Sequence, residues 1–172
     1  GVNDMNTYWA TREFGGRSTT GDVTVEPPFF EFFEDENDER SSFFYEGNGT
    51  LLTTKWQNQF ANIPYIRLAE MYLIRAEANF RLGSATGMDP LSDINTVRAR
   101  SGAAPLSSIS LEVILEERKR ELGFEGFALH DAKRLEQSIA GLPFDSNQLV
   151  LPIPQREVDA NPELEQNPGY EN

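Results

Sequence analysis

The chain has 172 residues, with 28 acidic against 15 basic side chains and a formal charge of −13 at neutral pH. That length makes one domain with its own hydrophobic core, and the charge excludes nucleic acid and anionic membrane surfaces as direct partners, because both require a concentrated Lys/Arg face. Cysteine is absent, which excludes a disulfide framework, a thiolate zinc site and a cysteine nucleophile. No run reaches the ~18 consecutive apolar residues of a membrane span. The chain opens at Gly1 without an initiator Met, which reads as the start of a fragment.

Residues 1–62 are irregular and aromatic. They hold both tryptophans, Trp9 and Trp56, and the dense clusters PPFFEFFEDENDER and FFYEGNGTLL. The second cluster predicts a β-hairpin, with Ser42–Glu46 paired to Thr50–Lys55 across Gly47-Asn48-Gly49, since Asn-Gly supplies the positive φ of a tight turn. Residues 63–137 carry the helical signal. Tyr65, Ala69, Tyr72, Leu73, Ala76 and Phe80 recur at helical spacing, and Ile66, Met71, Ile74 and Ala78 fill a second apolar stripe beside them. A helix apolar on more than one side needs covering twice, as in a stacked array.

Gly83 is placed to end that helix in the left-handed conformation. Asp89 then caps a second helix with Pro90 at its first position; Leu91, Ile94 and Val97 face inward, and Gly102 closes it. Ser110 caps a third through Val113, Ile114 and Leu122, with the run EERKREL expected on its exposed side. Glu77 to Arg81 reads as a favourable i,i+4 pair and Glu117 to Glu121 as an unfavourable one, both on solvated faces and worth tenths of a kcal/mol. A short fourth helix spans about Phe127 to Glu136. Residues 138–172 contain Pro143, Pro152, Pro154, Pro162 and Pro168, so this tail reads as extended or turned. The fold class is therefore mainly α: TPR-like antiparallel helix pairs of the α-α superhelix type, with irregular loops and a small β-hairpin. Two pairs need further cover, which the aromatic segment, the tail or additional chain would provide.

His130 is the only histidine and lies beside Asp131 with no nucleophile motif near it, so a packed histidine outweighs a catalytic one. In the acidic run, Asp35, Asn37, Glu39 and Glu46 fall at positions 1, 3, 5 and 12 of a calcium hand-loop, but Arg40 stands where that loop requires Gly. A carboxylate pair for glycoside hydrolysis needs two acids about 5–10 Å apart across a cleft, which adjacent loop acids do not establish. A solvated acidic turn between two strands is the plainer reading. No catalytic residue, metal site or cofactor is implied.

Sugar rings stack an apolar face on Trp or Tyr, while Arg, Asn and Asp take the hydroxyls. Tyr8, Trp9, Arg12 and Trp56 are accordingly the candidate ligand-binding residues. Phe29, Phe30, Phe32, Phe33, Phe43 and Phe44 are expected in the core. The negative charge favours an uncharged oligosaccharide over an anionic one.

Four ordered blocks then carry a resemblance: IRLAEMYLIRAEANFRLG from Ile66, LSDINTVRARSGA, LEVILEERKRELGFEG with Asp131 and Lys133-Arg134, and LVLPIPQREVDANPELEQNPGY ending at Tyr170. Together they resemble the C-terminal half of SusD/RagB family proteins over residues 63–170. The resemblance implies an outer-membrane, cell-surface lipoprotein of Bacteroidetes-type bacteria. It also implies a TPR-like fold that binds glycans or other nutrients without chemistry and passes them to a SusC-like TonB-dependent transporter. Signal peptide and lipid anchor belong to full-length members, so residues 1–172 are expected to be one domain from the C-terminal part of a longer chain. A TPR-like protein-interaction scaffold without sugar binding is the alternative.

Overall fold

The computed structural model describes residues 3–170. In chain order its regular elements are α1 (Asp4–Trp9), α2 (Pro27–Phe30), β1 (Phe44–Gly47), β2 (Thr50–Thr53), α3 (Leu68–Leu82), α4 (Pro90–Arg100), α5 (Leu111–Leu122), α6 (Phe127–Arg134) and α7 (Gln155–Ala160), with short 3-10 turns between. They fall into two compact units, one ending at Phe124 and the other beginning at Glu125. The architecture is mainly helical, built of TPR-like antiparallel pairs with one small hairpin.

Within the first unit, α3 packs against both α4 and α5. Ala69, Leu73 and Ala76 form its inner stripe, and Ile94 and Val97 of α4 and Ile114 of α5 are buried with them. The helix ends where expected: Gly83 is left-handed (φ 61°) and its N–H donates to Asn79 and Phe80 carbonyls. The lengthened turn that follows is clasped by one buried side chain. Asn79 donates through Nδ2 to the carbonyls of Thr86 (3.0 Å) and Met88 (2.9 Å), and its Oδ1 accepts from Thr86 N and Ser84 Oγ. Asp89 and Ser110 cap α4 and α5 through Ser92 N and Val113 N, and Arg75 grips Asp93 with two hydrogen bonds of 2.9 and 2.6 Å, tying α3 to α4.

Two features of α3 differ from the periodicity. The helix starts at Leu68 rather than Tyr65, and Tyr65 is 94% exposed. Arg67 stays extended at the N-cap (φ −120°, ψ 146°), where its guanidinium reaches Glu121 Oε1 (2.7 Å) and the Glu121 carbonyl (2.9 Å). A tertiary ion pair overrides the local helical pattern. The second stripe, Met71, Ile74 and Ala78, is exposed rather than covered.

The run EERKREL is not on an exposed side. Glu117, Arg118 and Glu121 are all buried, Glu117 completely. The two acids meet Arg40, which is itself buried: Arg40 donates to Asp38 (Nη2–Oδ2 2.6 Å, Nε–Oδ1 2.8 Å), Glu117 (2.7 Å) and Glu121 (3.2 Å). Arg98 adds a contact to Glu117 Oε2 (3.0 Å), and Arg100 reaches both oxygens of Glu121 (2.7 and 2.8 Å). The expected solvated acidic turn is therefore corrected in one respect. Asp38 is a buried ligand of Arg40, and the turn precedes the hairpin through a 3-10 segment, Glu39–Phe43, instead of joining two strands. A partnerless ion would be expelled from such a site, whereas several short charge-assisted hydrogen bonds hold each one here.

The hairpin forms with a shorter ladder than its sequence predicts: Phe44↔Thr53, Tyr45↔Leu52, Glu46↔Leu51 and Gly47↔Thr50. Asn48 (φ 53°) and Gly49 (φ 83°) alone make the loop, the two positive angles of a type I′ turn. Pairing stops at Phe44 and Thr53 because 3-10 turns occupy both flanks. From the second flank Lys55 donates to the carbonyls of Glu121 (2.9 Å) and Gly123 (2.8 Å), capping α5 with a cation where the helix dipole favours one. Its neighbour Trp56, only 5% exposed, donates its indole N–H to the Phe124 carbonyl (3.0 Å).

In the second unit, α6 follows left-handed Gly126 (φ 87°) and stops at Arg134, two residues short of the expected end. The proline-rich tail is extended and turned apart from the single short α7 after Pro154. Gln166 replaces a strand partner by bonding both the N–H (2.8 Å) and the carbonyl (2.9 Å) of Ile153.

Burial opposes the charges on Asp38 and Glu121, but hydrogen bonds from Arg40 and Arg67 and the surrounding arginine charges outweigh it, so both carboxyls are held below their ordinary values. The unfolded chain consequently takes up these protons first as pH falls. Stability measured by urea denaturation is predicted to be level from pH 7 to 5. It then falls steadily below about pH 4, the ordinary carboxylate range; equal or greater stability at pH 3 would contradict this. Trp56→Phe leaves the Phe124 carbonyl without its donor and is predicted to lower the unfolding free energy by about 1–3 kcal/mol. A change under about 0.5 kcal/mol, the size of a typical surface substitution, would refute that role.

Candidate functional site

α1 is seated by two asparagines. Asn3 caps it through Met5 N (2.9 Å). Asn6, fully buried, spreads its Nδ2 over the carbonyls of Trp56 (3.0 Å), Gln57 (2.8 Å) and Phe14 (3.0 Å). This anchors α1 to the turn containing Trp56 and sets the direction of the next residues. Successive helical side chains diverge by about 100°, so Tyr8 and Trp9 cannot share a face. Trp9 is half-buried and meets Phe124 edge-on (5.6 Å, 75°), while Tyr8 is 46% exposed.

The segment after α1 folds back onto it. Gly16 passes so close to α1's end that a Cβ would stand 1.8 Å from the Ala10 carbonyl oxygen, a position only glycine can occupy. Arg17 N then donates to Thr7 O (3.0 Å), and Asp22 N and Val23 N donate to Tyr8 O (2.9 and 3.3 Å). Arg12 is exposed at the turn, its N–H on Ser18 O (2.7 Å) and its Nη2 on Arg17 O (3.3 Å). The fold-back carries the Arg17 guanidinium over the Tyr8 ring, 4.5 Å from its centroid, and Asp22 accepts from Arg17 Nε. That hydrogen bond holds the Arg17 pKa above its ordinary value.

Tyr8 and Arg17 thus meet at one surface, Arg12 is exposed at the turn before Arg17, and Trp9 packs against Phe124. Trp56 is placed differently: its ring is packed in the core and its N–H is spent on Phe124, so it supports α1 from beneath and offers no face for stacking. Arg17 and Asp22 were not distinguishable as partners by spacing or motif. Their only sequence signal is the turn-forming composition of GGRSTTGD, and the pairing arises from the loop's return.

The phenylalanines expected as core are corrected as well. Phe29, Phe32, Phe33 and Phe44 are half-buried, and Phe30 and Phe43 are exposed. They pack on one another and on Phe124, the shortest ring separation being 4.7 Å between Phe29 and Phe124. The reason is local: α2 is one turn long, and a cluster within so short a segment satisfies itself before any helix covers it. Together with Lys55 and Arg120, several of these rings line a shallow concavity.

Asp35 gives Oδ2 to Ala104 N (2.7 Å) and Oδ1 to Asn37 N (3.0 Å), Asp38 is committed to Arg40, and Glu46 sits in β1 opposite Leu51. Among the described residues, no group of three or more His, Asp or Glu side chains is arranged to hold a metal ion. His130 is exposed on α6.

The sequence model of the SusD family matches residues 42–170, well over half of the chain. Starch-binding protein SusD of Bacteroides thetaiotaomicron is 29% identical over 147 residues, the match covering 70% of this chain and 26% of that protein. SusD-like protein P2 of Formosa agariphila is 34% identical over 128 residues, covering 61% and 25%. Among solved structures, a candidate sugar-binding protein of Bacteroides vulgatus superposes with a TM-score of 0.78 at 25% identity, covering 96% of this chain and 42% of that one. The chain spans about a quarter of the length of the curated relatives it matches. Four sequence blocks, the helical pairs and the agreement over nearly all of its length lead to one assignment: the chain belongs to the SusD family.

Proposed function

We propose that this chain is a non-enzymatic glycan-binding part of a SusD-type protein, presenting oligosaccharide at the cell surface to a SusC-like TonB-dependent transporter in the outer membrane. The observation that carries the reading is the exposed Tyr8 ring, mounted on α1 with the Arg17 guanidinium over one face. An aromatic ring beside polar groups suits a pyranose, whose axial C–H groups stack while its hydroxyls hydrogen-bond. Trp9 packs against Phe124, and Trp56 supports α1 through the Asn6 anchor. The relative named as starch-binding supports the same ligand class. Binding alone is proposed, since no acid and base face each other at this surface. Membrane attachment would come from a lipid anchor in the full-length protein, as no described helix is long and apolar enough to cross a membrane.

One observation favours the alternative, a protein-interaction scaffold without sugar binding. Leu68, Met71, Ile74 and Leu82 lie exposed along α3, an apolar stripe of the kind that marks a protein contact. The readings separate on calorimetric titration with malto-, cello- and mannohexaose. Glycan binding predicts measurable affinity for at least one hexaose, weakened by about 1–2 kcal/mol in Tyr8→Ala with the thermal melt unchanged. Absence of binding to all three, or full affinity in Tyr8→Ala, would contradict it.

A further inference from the structure

We propose that Arg17 and Asp22 act as a paired reader of adjacent sugar hydroxyls beside Tyr8, selecting uncharged pyranoses over acidic ones. The inference rests on the glycan-binding reading and names the ligand class and the residues that would discriminate it. Arg17 and Asp22 are linked through Nε and Oδ2, and among the described residues no protein hydrogen bond involves the Nη groups of Arg17 or Oδ1 of Asp22. Their side chains are 60% and 29% exposed, so these atoms are open to solvent. The guanidinium lies over one side of the Tyr8 ring, and the residue remains 46% exposed.

This arrangement offers two donors and one acceptor next to an aromatic platform. Neighbouring hydroxyls of a sugar can satisfy both kinds at once, because each hydroxyl donates one hydrogen bond and accepts others. A sugar carboxylate placed there can use only the donors, and it meets Asp22 as a like charge. The charge of Arg17 is already balanced by Asp22, so the pair itself carries no net cation to reward an anion. Position is enforced by the backbone: Arg17 N on Thr7 O and Asp22 N on Tyr8 O hold the pair against α1 independently of their side chains. Substitutions at either residue therefore alter chemistry without dismantling the loop.

The test titrates the 172-residue chain and three variants with the neutral hexaoses named above and with hexagalacturonate. Wild type is expected to bind a neutral hexaose more tightly than the acidic one. Arg17→Ala is expected to lose about tenfold in neutral affinity, the size of a lost charge-assisted contact, and Arg17→Lys, which keeps the charge but not the fork, to lose nearly as much. Asp22→Asn is expected to lower neutral affinity and to move the neutral-to-acidic preference about fivefold toward hexagalacturonate, as one unit of exposed charge implies. If Tyr8→Ala weakens neutral binding while all three variants bind as wild type, the paired reader is overturned and glycan binding stands. If no neutral hexaose binds wild type, both fall. Tighter wild-type binding of hexagalacturonate overturns the selectivity alone.

Discussion

Arg40 donates to Asp38, Glu117 and Glu121 from a site almost closed to water, and the rest of the first unit is arranged around that exchange. Burial acts against its charge, but the hydrogen bonds and charges of Asp38 and Glu117 prevail, so the guanidinium is held above its ordinary value. Removing one member of such a set costs about 3–5 kcal/mol because the others are left uncompensated. Here the set is over-determined. Glu117 also receives Arg98, and Glu121 receives Arg67 and Arg100, so the carboxylates of α5 remain paired whichever single arginine moves. Arg40 ties the chain before the hairpin to the helices, together with Asp35, which accepts from Ala104 N, and Phe32, whose carbonyl accepts from Arg120 Nε.

Three donors from residues 40–56 converge on the C-terminal turn of α5 and the residues just beyond it. Arg40 takes the side chains of Glu117 and Glu121, Lys55 takes the carbonyls of Glu121 and Gly123, and Trp56 takes the carbonyl of Phe124. This fastens an irregular segment with little regular structure to a rigid helix. Asn6 then carries the attachment one step further, from the Trp56 turn to α1. The direction in which Tyr8 projects is thus traced through a short chain of hydrogen bonds to α5. Phe124 takes part by adopting a left-handed backbone (φ 65°), a conformation costly for a bulky residue and sustained by four aromatic and hydrogen-bonded neighbours.

Helices with strong local signals were legible in the sequence. The Asp89-Pro90 start, the Ser110 cap and the Gly83 stop are chemistry of single residues, and each stands where its residue type requires. The Asn48-Gly49 turn is legible for the same reason. What could not be read is what depends on distant partners. Arg67 delays α3 because Glu121, far along the chain, holds it. The EERKREL run looks like a solvated face at helical spacing, but its acids are drawn inward by Arg40, a residue that local inspection marks only as an obstacle to a calcium loop. Of the candidate site, Tyr8, Trp9 and Arg12 were visible by residue type, and Trp56 as well, though burial assigns it to packing. Arg17 and Asp22 were invisible, because their meeting is made by the return of the loop through Gly16.

The proposed binding surface is therefore a consequence of a buried ionic clasp and not of the helical array alone. Native-state hydrogen exchange on Arg40→Met, a substitution of similar length without charge, addresses this most directly. The amides of the hairpin and α1, including Tyr45, Leu52 and Ala10, are predicted to lose protection while those of α3 and α4 keep theirs, since Arg75–Asp93 and the remaining arginines still hold the helices. Protection unchanged in the hairpin and α1, or lost equally throughout the unit, would contradict the claim that Arg40 fastens the one to the other.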